Sequence, residues 1–469
     1  MSQSFSRIFL TAFSVLLLAN CTLFKTDPKT DVPLLLPDQW ESIDSNEDIT
    51  LGWLTQFNDK ILNHHVRTAL QNNFNLQVNL EQLNAAIANA KATNANLFPD
   101  INVGLQRGRT KNFTINDEGN AIAQYSTQYQ SDIGVSWEAD LWNKLSDLSR
   151  AAALDSEVQA ASYQAARLSL AANVAQTWFN TIEATNQYEL SQRQLNSLGE
   201  ALDIVENNYR AGLTSAVDVF SAKSDMENQR ALVAQSNQTQ EELKRNFNRL
   251  LGRYPSAQLD TSKAKTPDSI GKIPTGLPSE LLLRRPDIIA ARKNWVARQY
   301  NQENARKNRY PSFKLTGTLG QRSDSLSEVL DSDDLFWSLL TGFTQPVFNA
   351  GRLKAFEEGA GAQTRQALAE YANTILTAFN EVENALAGEE FLLIQYKTTK
   401  SAAELAKSAY DISLEQYQRG LVEYVTVLAN QRQYFSADSR QISLYNDLIQ
   451  NRINLHLALG GDFFTYTEL

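Results

Sequence analysis

The sequence predicts a mainly α fold with some β structure, in which long antiparallel coiled-coil hairpins carry four strands per chain. The first observation behind this fold class is a duplication. The residues NNYRAGL at Asn207–Leu213 recur as EQYQRGL at Glu415–Leu421, so a unit of about 200 residues occurs twice. The second is the scarcity of Gly (20) and Pro (11) among 469 residues, which suits long helices. One long duplication indicates two halves of one body rather than a solenoid.

The N-terminus is predicted to direct the chain out of the cytoplasm. Residues 1–20 read as a signal peptide, because Arg7 precedes an apolar stretch too short to span a membrane. The only cysteine, Cys21, follows a pattern that resembles a bacterial lipobox, whose Cys becomes acylated, although Asn20 departs from the usual small residue. An ordinary signal peptide with an incidental Cys is the alternative. Residues 21–57 are expected to form a lipid-anchored tether, and no Asp follows the Cys, which favours sorting to the outer membrane.

The first structural repeat is predicted to cover residues 58–252. A helix from about Asn58 to Leu97 ends where Pro99 discourages its continuation. Two stretches of alternating apolar and polar residues then indicate strands. Two long helices follow, with apolar residues stepping by three and four as in a coiled-coil seam. These strands and helices are predicted at residues 100–110, 124–138, 141–211 and 213–251.

The second repeat, residues 286–460, is predicted to have the same order of elements. A proline-containing linker at residues 253–285 joins the halves, and residues 461–469 form a C-terminal tail. The strands and long helices of this repeat are predicted at residues 312–322, 335–347, 351–418 and 422–458.

The four strands predict an oligomer. Each has one apolar, aromatic-rich face and one polar face, and the helices keep their own apolar residues for each other. Such strands suit a membrane barrel, apolar toward lipid and polar toward water. Four strands cannot close a barrel, and an open edge in lipid leaves unpaired backbone groups that cost several kcal/mol each. Known closed barrels need about eight strands or more, and three chains would contribute about twelve.

Three sequence features carry a family resemblance: the duplicated turns, the segment LPSELLLRRPDI at Leu277–Ile288 and the segment EVENAL at Glu381–Leu386. Together they resemble the TolC-like outer-membrane efflux proteins, most closely the lipoprotein (NodT-type) branch of the outer membrane factor family. The resemblance implies a homotrimer whose long helices form an α-barrel through the periplasm and whose strands complete a 12-stranded transmembrane β-barrel. It also implies an exit duct that docks through a periplasmic adaptor with an inner-membrane pump, in tripartite efflux or type I secretion.

The resemblance places the turns at Gly212 and Gly420 at the periplasmic tip, where the pore narrows and the adaptor binds. Glycine at such a turn is also explained as a helix C-cap with positive φ. Asp218 and Tyr417 match polar residues that tie neighbouring helix pairs together in a closed tip. The alternative is a solvated Asp and a packed Tyr.

Two further residues are candidates for the constriction. Val425 and Arg432 match positions that line the closed tip of lipoprotein relatives, so an apolar and cationic ring is expected. Ala429 stands where many relatives carry an Asp, which argues against an acidic, cation-binding ring.

The remaining residues indicate neither catalysis nor a cofactor. The net charge of −10 argues against a nucleic-acid partner. His64 and His65 are adjacent on a predicted helix, so they face different ways and make a poor ligand pair. No phosphate-binding loop, nucleophile elbow or metal-ligand cluster is found in the sequence. The alternative function is a non-conducting periplasmic coiled-coil lipoprotein, a spacer or adaptor, against which the aromatic strands argue.

Overall fold

The computed structural model describes residues 25–30, 34, 37, 39–41, 52–115, 117, 119–261, 267, 278, 281–327 and 335–461. After a short 3-10 helix at Trp53–Phe57, the first half forms α1 (Lys60–Asn72), α2 (Phe74–Ala95), β1 (Asp100–Ile115), β2 (Ala121–Ala139), α3 (Lys144–Arg210) and α4 (Ala216–Leu250). The second half forms α5 (Leu281–Arg284), α6 (Pro286–Lys307), β3 (Ser312–Ser323), β4 (Leu335–Thr344), α7 (Arg352–Gln418) and α8 (Tyr424–Ala458). Both halves therefore run from a helix through two strands to a long helix and a return helix. Among the described helices, none is long and apolar enough to cross a membrane.

The single helix expected from Asn58 to Leu97 is wrong, because the structure divides it at Asn73. Asn73 has an extended backbone between α1 and α2, with ψ 120°. Its Oδ1 accepts a hydrogen bond from the backbone N of Leu76 at 3.1 Å, and its Nδ2 donates to the carbonyl of Leu250 at 2.9 Å. The side chain thus caps the second helix and binds the end of α4, which stabilises the break.

The four strands form one antiparallel sheet in the order β1-β2-β3-β4. The register aligns apolar residues across all four strands, with Val103 opposite Ile133, Ile133 opposite Leu319 and Leu319 opposite Trp337. Opposite residues share a face of the sheet. The neighbouring row, on the other face, consists of Asn102, Gly134, Thr318 and Ser338. One face of the sheet is therefore apolar and the other polar.

Three strands differ from their predicted bounds by more than one residue, and β2 begins at Ala121 rather than at 124. The first strand continues past residue 110 to Ile115, because Lys111 to Ile115 pair with β2 from Tyr125 back to Ala121. The strand expected at 335–347 ends at Thr344, just before Pro346, which has no backbone N–H to donate to a neighbouring strand.

The chain folds into two compact units, and each contains chain from both halves. The first unit includes Gln82–Ala160 and Ala290–Tyr371, and so holds the four strands. The second includes Ala161–Ile289 and Ala372–Leu469, and so holds both hairpin turns. Neither unit corresponds to one sequence repeat, so the duplicated halves are not separate domains.

The core of the second unit is rich in aromatic side chains of the first half. Trp178 and Phe247 are fully buried, and His65 packs against them with ring centroids 5.0 and 4.9 Å apart. Burial lowers the pKa of His65 to about 4, so its imidazole is neutral at pH 7. His64 is exposed. The two adjacent histidines therefore face different ways, as the sequence predicts.

The Arg-Arg-Pro-Asp segment at the start of α6 is a structural junction of the second unit. Arg285 binds the carboxylate of Asp287 through two nitrogens, at 3.0 and 2.7 Å. It also donates to Glu381 at 2.6 Å and to the carbonyl of Ala458 at 3.0 Å. Such bidentate, charge-assisted hydrogen bonds are among the strong ones. One guanidinium thus joins the start of α6, the middle of α7 and the end of α8.

Candidate functional site at the two hairpin turns

The turns that connect the long helices have the same construction. Gly212 and Gly420 have φ of 73° and 71°, a conformation that glycine adopts without strain. In the first turn, the backbone N of Leu213 donates to the carbonyl of Asn208 at 2.8 Å, and the second turn has the matching bond at 2.9 Å. This is the Schellman motif of a helix C-terminus. An added Cβ would meet nothing within 4 Å at either glycine, so the backbone conformation alone requires glycine there.

Next to the turns, side chains from both hairpins form one buried cluster, which we call the tip cluster. It joins the long helices α3 and α7 to the return helices α4 and α8, and its members are Leu202, Val205, Ala222, Tyr410, Tyr417, Tyr424, Val427 and Leu428. The rings of Tyr417 and Tyr424 lie 5.4 Å apart. Their hydroxyl groups are buried and have no hydrogen-bond partner among the described residues. Desolvation, aided by the nearby charge of Asp225, raises the pKa of Tyr424.

The carboxylate of Asp218 is bound within its own turn. It accepts hydrogen bonds from the hydroxyl of Thr214 and from the backbone N of Ser215, the latter at 3.2 Å. Ser215 in turn caps the N–H of Asp218, which completes a capping box at the start of α4. The hydrogen bond from Thr214 is the main reason that the pKa of Asp218 is lowered. Within one chain, therefore, Asp218 and Tyr417 are not joined to each other.

The candidate constriction residues lie on α8. Val425 is 63% exposed. Arg432 forms an ion pair with Asp225 of α4, with 2.8 Å between Nη2 and Oδ1. The Asp225 side chain is only 17% exposed, whereas that of Arg432 is 70% exposed. This pair links the return helices of the two hairpins.

Sequence reasoning missed Asp225. One signal could have found it: Asp225 and Arg432 lie at nearly the same distance beyond Gly212 and Gly420, so the two repeats carry opposite charges at matching places. A second polar link was also missed. The hydroxyl of Tyr410 lies 2.9 Å from that of Ser197 on α3.

The outer surface of the turns is apolar. Leu213, Val217 and Phe220 of the first hairpin are 77, 71 and 72% exposed, and Leu421 of the second is 68% exposed. Exposed apolar groups that cluster in this way mark surfaces for protein contact. We call these four residues the turn patch.

No cluster of three or more His, Cys, Asp or Glu side chains that could hold a metal ion occurs in the described parts of the chain. The carboxylate of Asp218 is instead committed to capping, and Asp225 to the ion pair between hairpins. The site can hold the two hairpins of a chain together, and it presents an apolar patch and a cation.

The sequence model of one family, described as outer membrane efflux protein, matches the chain twice, over residues 66–253 and 277–461. The chain belongs to this family. Each half supplies one match, and together the matches cover most of the chain.

Relatives and solved structures agree with this assignment. The antibiotic efflux pump outer membrane protein ArpC of Pseudomonas putida is 28% identical over 479 residues, which covers 100% of this chain and 97% of ArpC. The pyoverdine export outer membrane protein OpmQ of Pseudomonas putida is 28% identical, over 91% of this chain and 92% of OpmQ. The crystal structure of the CmeC outer membrane channel of Campylobacter jejuni superimposes with a TM-score of 0.84 at 25% identity, over 95% of this chain and 96% of CmeC.

These likenesses confirm the predicted fold class, the fold of trimeric outer-membrane channels built from long helical hairpins and four strands per chain. The chain is an efflux channel of the outer membrane that extends into the periplasm, and it is not an enzyme. The alternative of a non-conducting spacer finds no support among these proteins.

Proposed function

We propose that this chain works as a homotrimeric exit duct, which receives substrates from an inner-membrane pump through a periplasmic adaptor and conducts them passively to the exterior. The observation that carries the proposal is the sheet, with one apolar and one polar face and two open edges. ArpC is named for antibiotic efflux and OpmQ for pyoverdine export. Because two relatives serve such different cargoes, we infer that the pump and not the duct selects the substrate.

The trimer follows from the edges of the sheet. Among the described residues, strands β1 and β4 each leave one row of backbone groups unpaired, and such groups are costly in lipid. The strands alternate in direction, so β4 of one chain and β1 of the next are antiparallel and can pair. Three chains joined in this way close a barrel of twelve strands, an even number as in the single-chain barrels of bacterial outer membranes. The apolar face then contacts lipid and the polar face lines the lumen.

A second attachment to the membrane is proposed at Cys21, which lies outside the described residues. An acyl chain there would anchor the N-terminal segment to the outer membrane. The described residues that follow support a fixed tether, because Lys29 exchanges two backbone hydrogen bonds with the side-chain amide of Gln299, at 2.7 and 2.9 Å.

The hairpin turns are proposed to form the periplasmic tip and its gate. The pair Asp225–Arg432 and the tip cluster hold the two hairpins of a chain together, and Val425 supplies an apolar ring around the threefold axis. Asp218 and Tyr417 would act as latch residues only between chains, since they do not meet within one. The turn patch is the surface that we assign to the adaptor.

Loosening the pair between hairpins is expected to open the duct. For Arg432→Gln and for Asp225→Asn we expect the open fraction of single channels in planar bilayers to rise at low salt, where ion pairs are least screened. An exposed ion pair contributes at most about 1 kcal/mol, so the increase should be about fivefold or less. Arg230→Gln is the matched control, since Arg230 pairs with Glu227 within one helix at 2.5 Å.

The charge-reversed double variant, Asp225→Arg with Arg432→Asp, is expected to return the open fraction toward that of the wild type. An unchanged open fraction in both single variants would contradict the gate. A channel that conducts in every variant would still support the duct itself.

A further inference from the structure

The half of β1 nearest its hairpin turn carries three cations on one face. Arg107, Arg109 and Lys111 occupy alternate positions of the strand, and alternate side chains point the same way. Val103 and Leu105, on the apolar face of the sheet, precede them at the same spacing. We call Arg107, Arg109 and Lys111 the cationic row. It continues the apolar face, which is the lipid-facing side of the barrel.

Aromatic rings of β2 position the cationic row. The guanidinium carbon of Arg107 lies 5.7 Å from the ring centre of Tyr129, and that of Arg109 lies 5.3 Å from the ring centre of Tyr125. The Nζ of Lys111 is 5.5 Å from the same Tyr125 ring. All three cations are exposed, and none has a carboxylate partner within the described residues. Contacts with ring faces hold the cations in place while their N–H groups stay available.

The register places the cationic row immediately beyond the apolar rows. Leu105 lies opposite Ser131, Ser131 opposite Gln321, and Gln321 opposite Leu335, the first residue of β4. Arg107 is two residues further toward the hairpin turn, about 7 Å along the strand. The other strand ends join the helices, which extend into the periplasm. The cationic row therefore lies beyond the apolar band that the four strands share, together with the tyrosines that are usual at that level. Phe113 and Ile115 follow it on β1 toward the turn.

We propose that the cationic row binds the phosphate groups of the phosphorylated glycolipid that forms the outer leaflet of the outer membrane. Guanidinium groups bind phosphate oxygens through two parallel hydrogen bonds, and Lys adds a compact charge. Three cations at alternate positions of one strand span about 13 Å, enough to contact more than one phosphate. The site concerns the lipid around the barrel and is independent of the pump and of conduction through the lumen.

The test compares glycolipid binding by the wild-type trimer and by the triple variant R107Q/R109Q/K111Q. Purified trimers in neutral detergent are titrated with bisphosphorylated lipid A and, separately, with enzymatically dephosphorylated lipid A, and bound lipid is counted by native mass spectrometry. We expect the triple variant to bind the phosphorylated lipid on the order of 100-fold more weakly, from the usual contribution of three cations near an anionic surface. The control K314Q/R322Q removes two cations from the polar face of the same sheet and is expected to bind as the wild type does.

Two results would overturn the proposal: equal binding of both lipids by the wild type, or unchanged binding by the triple variant. The cations could instead pair with carboxylates of a neighbouring chain. In that case, trimers of the triple variant will dissociate at a lower temperature than wild-type trimers in glycolipid-free detergent. The wild type will then bind no more lipid than the triple variant does. Should the triple variant fail to form trimers, R109Q alone is measured, with an expected loss of about fivefold. No loss in that single variant would also contradict the proposal.

Discussion

Gly252→Ala is expected to destabilise the protein far more than Gly212→Ala, although the two glycines have nearly the same backbone conformation. Their φ values are 70° and 73°, so an alanine at either position carries a conformational cost of about 1–2 kcal/mol. A Cβ on Gly252 would lie 2.3 Å from the carbonyl oxygen of Asn72, whereas nothing lies within 4 Å of one on Gly212. The backbone at Gly252 must therefore move.

That movement is opposed by the neighbouring contacts. The side chain of Asn73 binds the carbonyl of Leu250 at 2.9 Å, and Leu251 is fully buried. Overpacking in such a place typically adds about 1–3 kcal/mol, so we expect a loss of about 2–5 kcal/mol for Gly252→Ala and about 1–2 kcal/mol for Gly212→Ala. Urea unfolding of the detergent-solubilised proteins measures both. Equal shifts of the two midpoints would show that the close approach to Asn72 does not determine stability there.

Lys307→Met is expected to be the other severe substitution. Lys307 and Asp147 form an ion pair at 2.5 Å, with side chains only 1 and 0% exposed. The hydroxyl of Thr26 donates to the same Asp147 oxygen at 2.8 Å. Removing the lysine leaves a buried carboxylate without its main partner, which costs about 3–5 kcal/mol in comparable cases. The double variant Lys307→Met with Asp147→Leu removes both charges and is expected to lose much less.

Thermal unfolding of the single and double variants distinguishes the destabilisation caused by the unpaired carboxylate from that caused by lost packing. Lys293→Met is the matched control, since Lys293 pairs with Glu157 at 2.6 Å on the surface, with side chains 29 and 52% exposed, and should cost less than about 1 kcal/mol. If the Lys307 single and double variants unfold at the same temperature, the loss comes from packing and not from the unpaired carboxylate.

Local patterns were sufficient to predict the fold class. Helix breakers are scarce from Lys144 to Arg210 and from Arg352 to Gln418, and both segments are continuous helices of 67 residues in the structure. The strands were found because apolar and polar residues alternate, and that alternation survives in the four-stranded register. The duplicated sequence around the turns identified Gly212 and Gly420 as the hairpin glycines, and the turn itself requires their positive φ.

Features that depend on distant residues could not be predicted. The break at Asn73 needs the carbonyl of Leu250, far along the chain. The pair Asp225–Arg432 joins two helices whose facing sides the sequence does not specify. Lys307 ends a helix, where a lysine is ordinarily solvated, and only the fold shows that it is buried. The extension of β1 to Ile115 was missed because Arg107, Arg109 and Lys111 interrupt the apolar positions of the strand, although Phe113 and Ile115 resume them.

The strands are expected to hold a trimeric channel in the outer membrane. The most direct test of this is membrane extraction of a Cys21→Ser variant that is exported behind an ordinary cleavable signal. We expect this variant to stay in the outer membrane through alkaline carbonate washing and to come out in detergent as a trimer, because the barrel and not the lipid anchors it. Release of the variant as a soluble periplasmic protein would contradict a strand-built barrel.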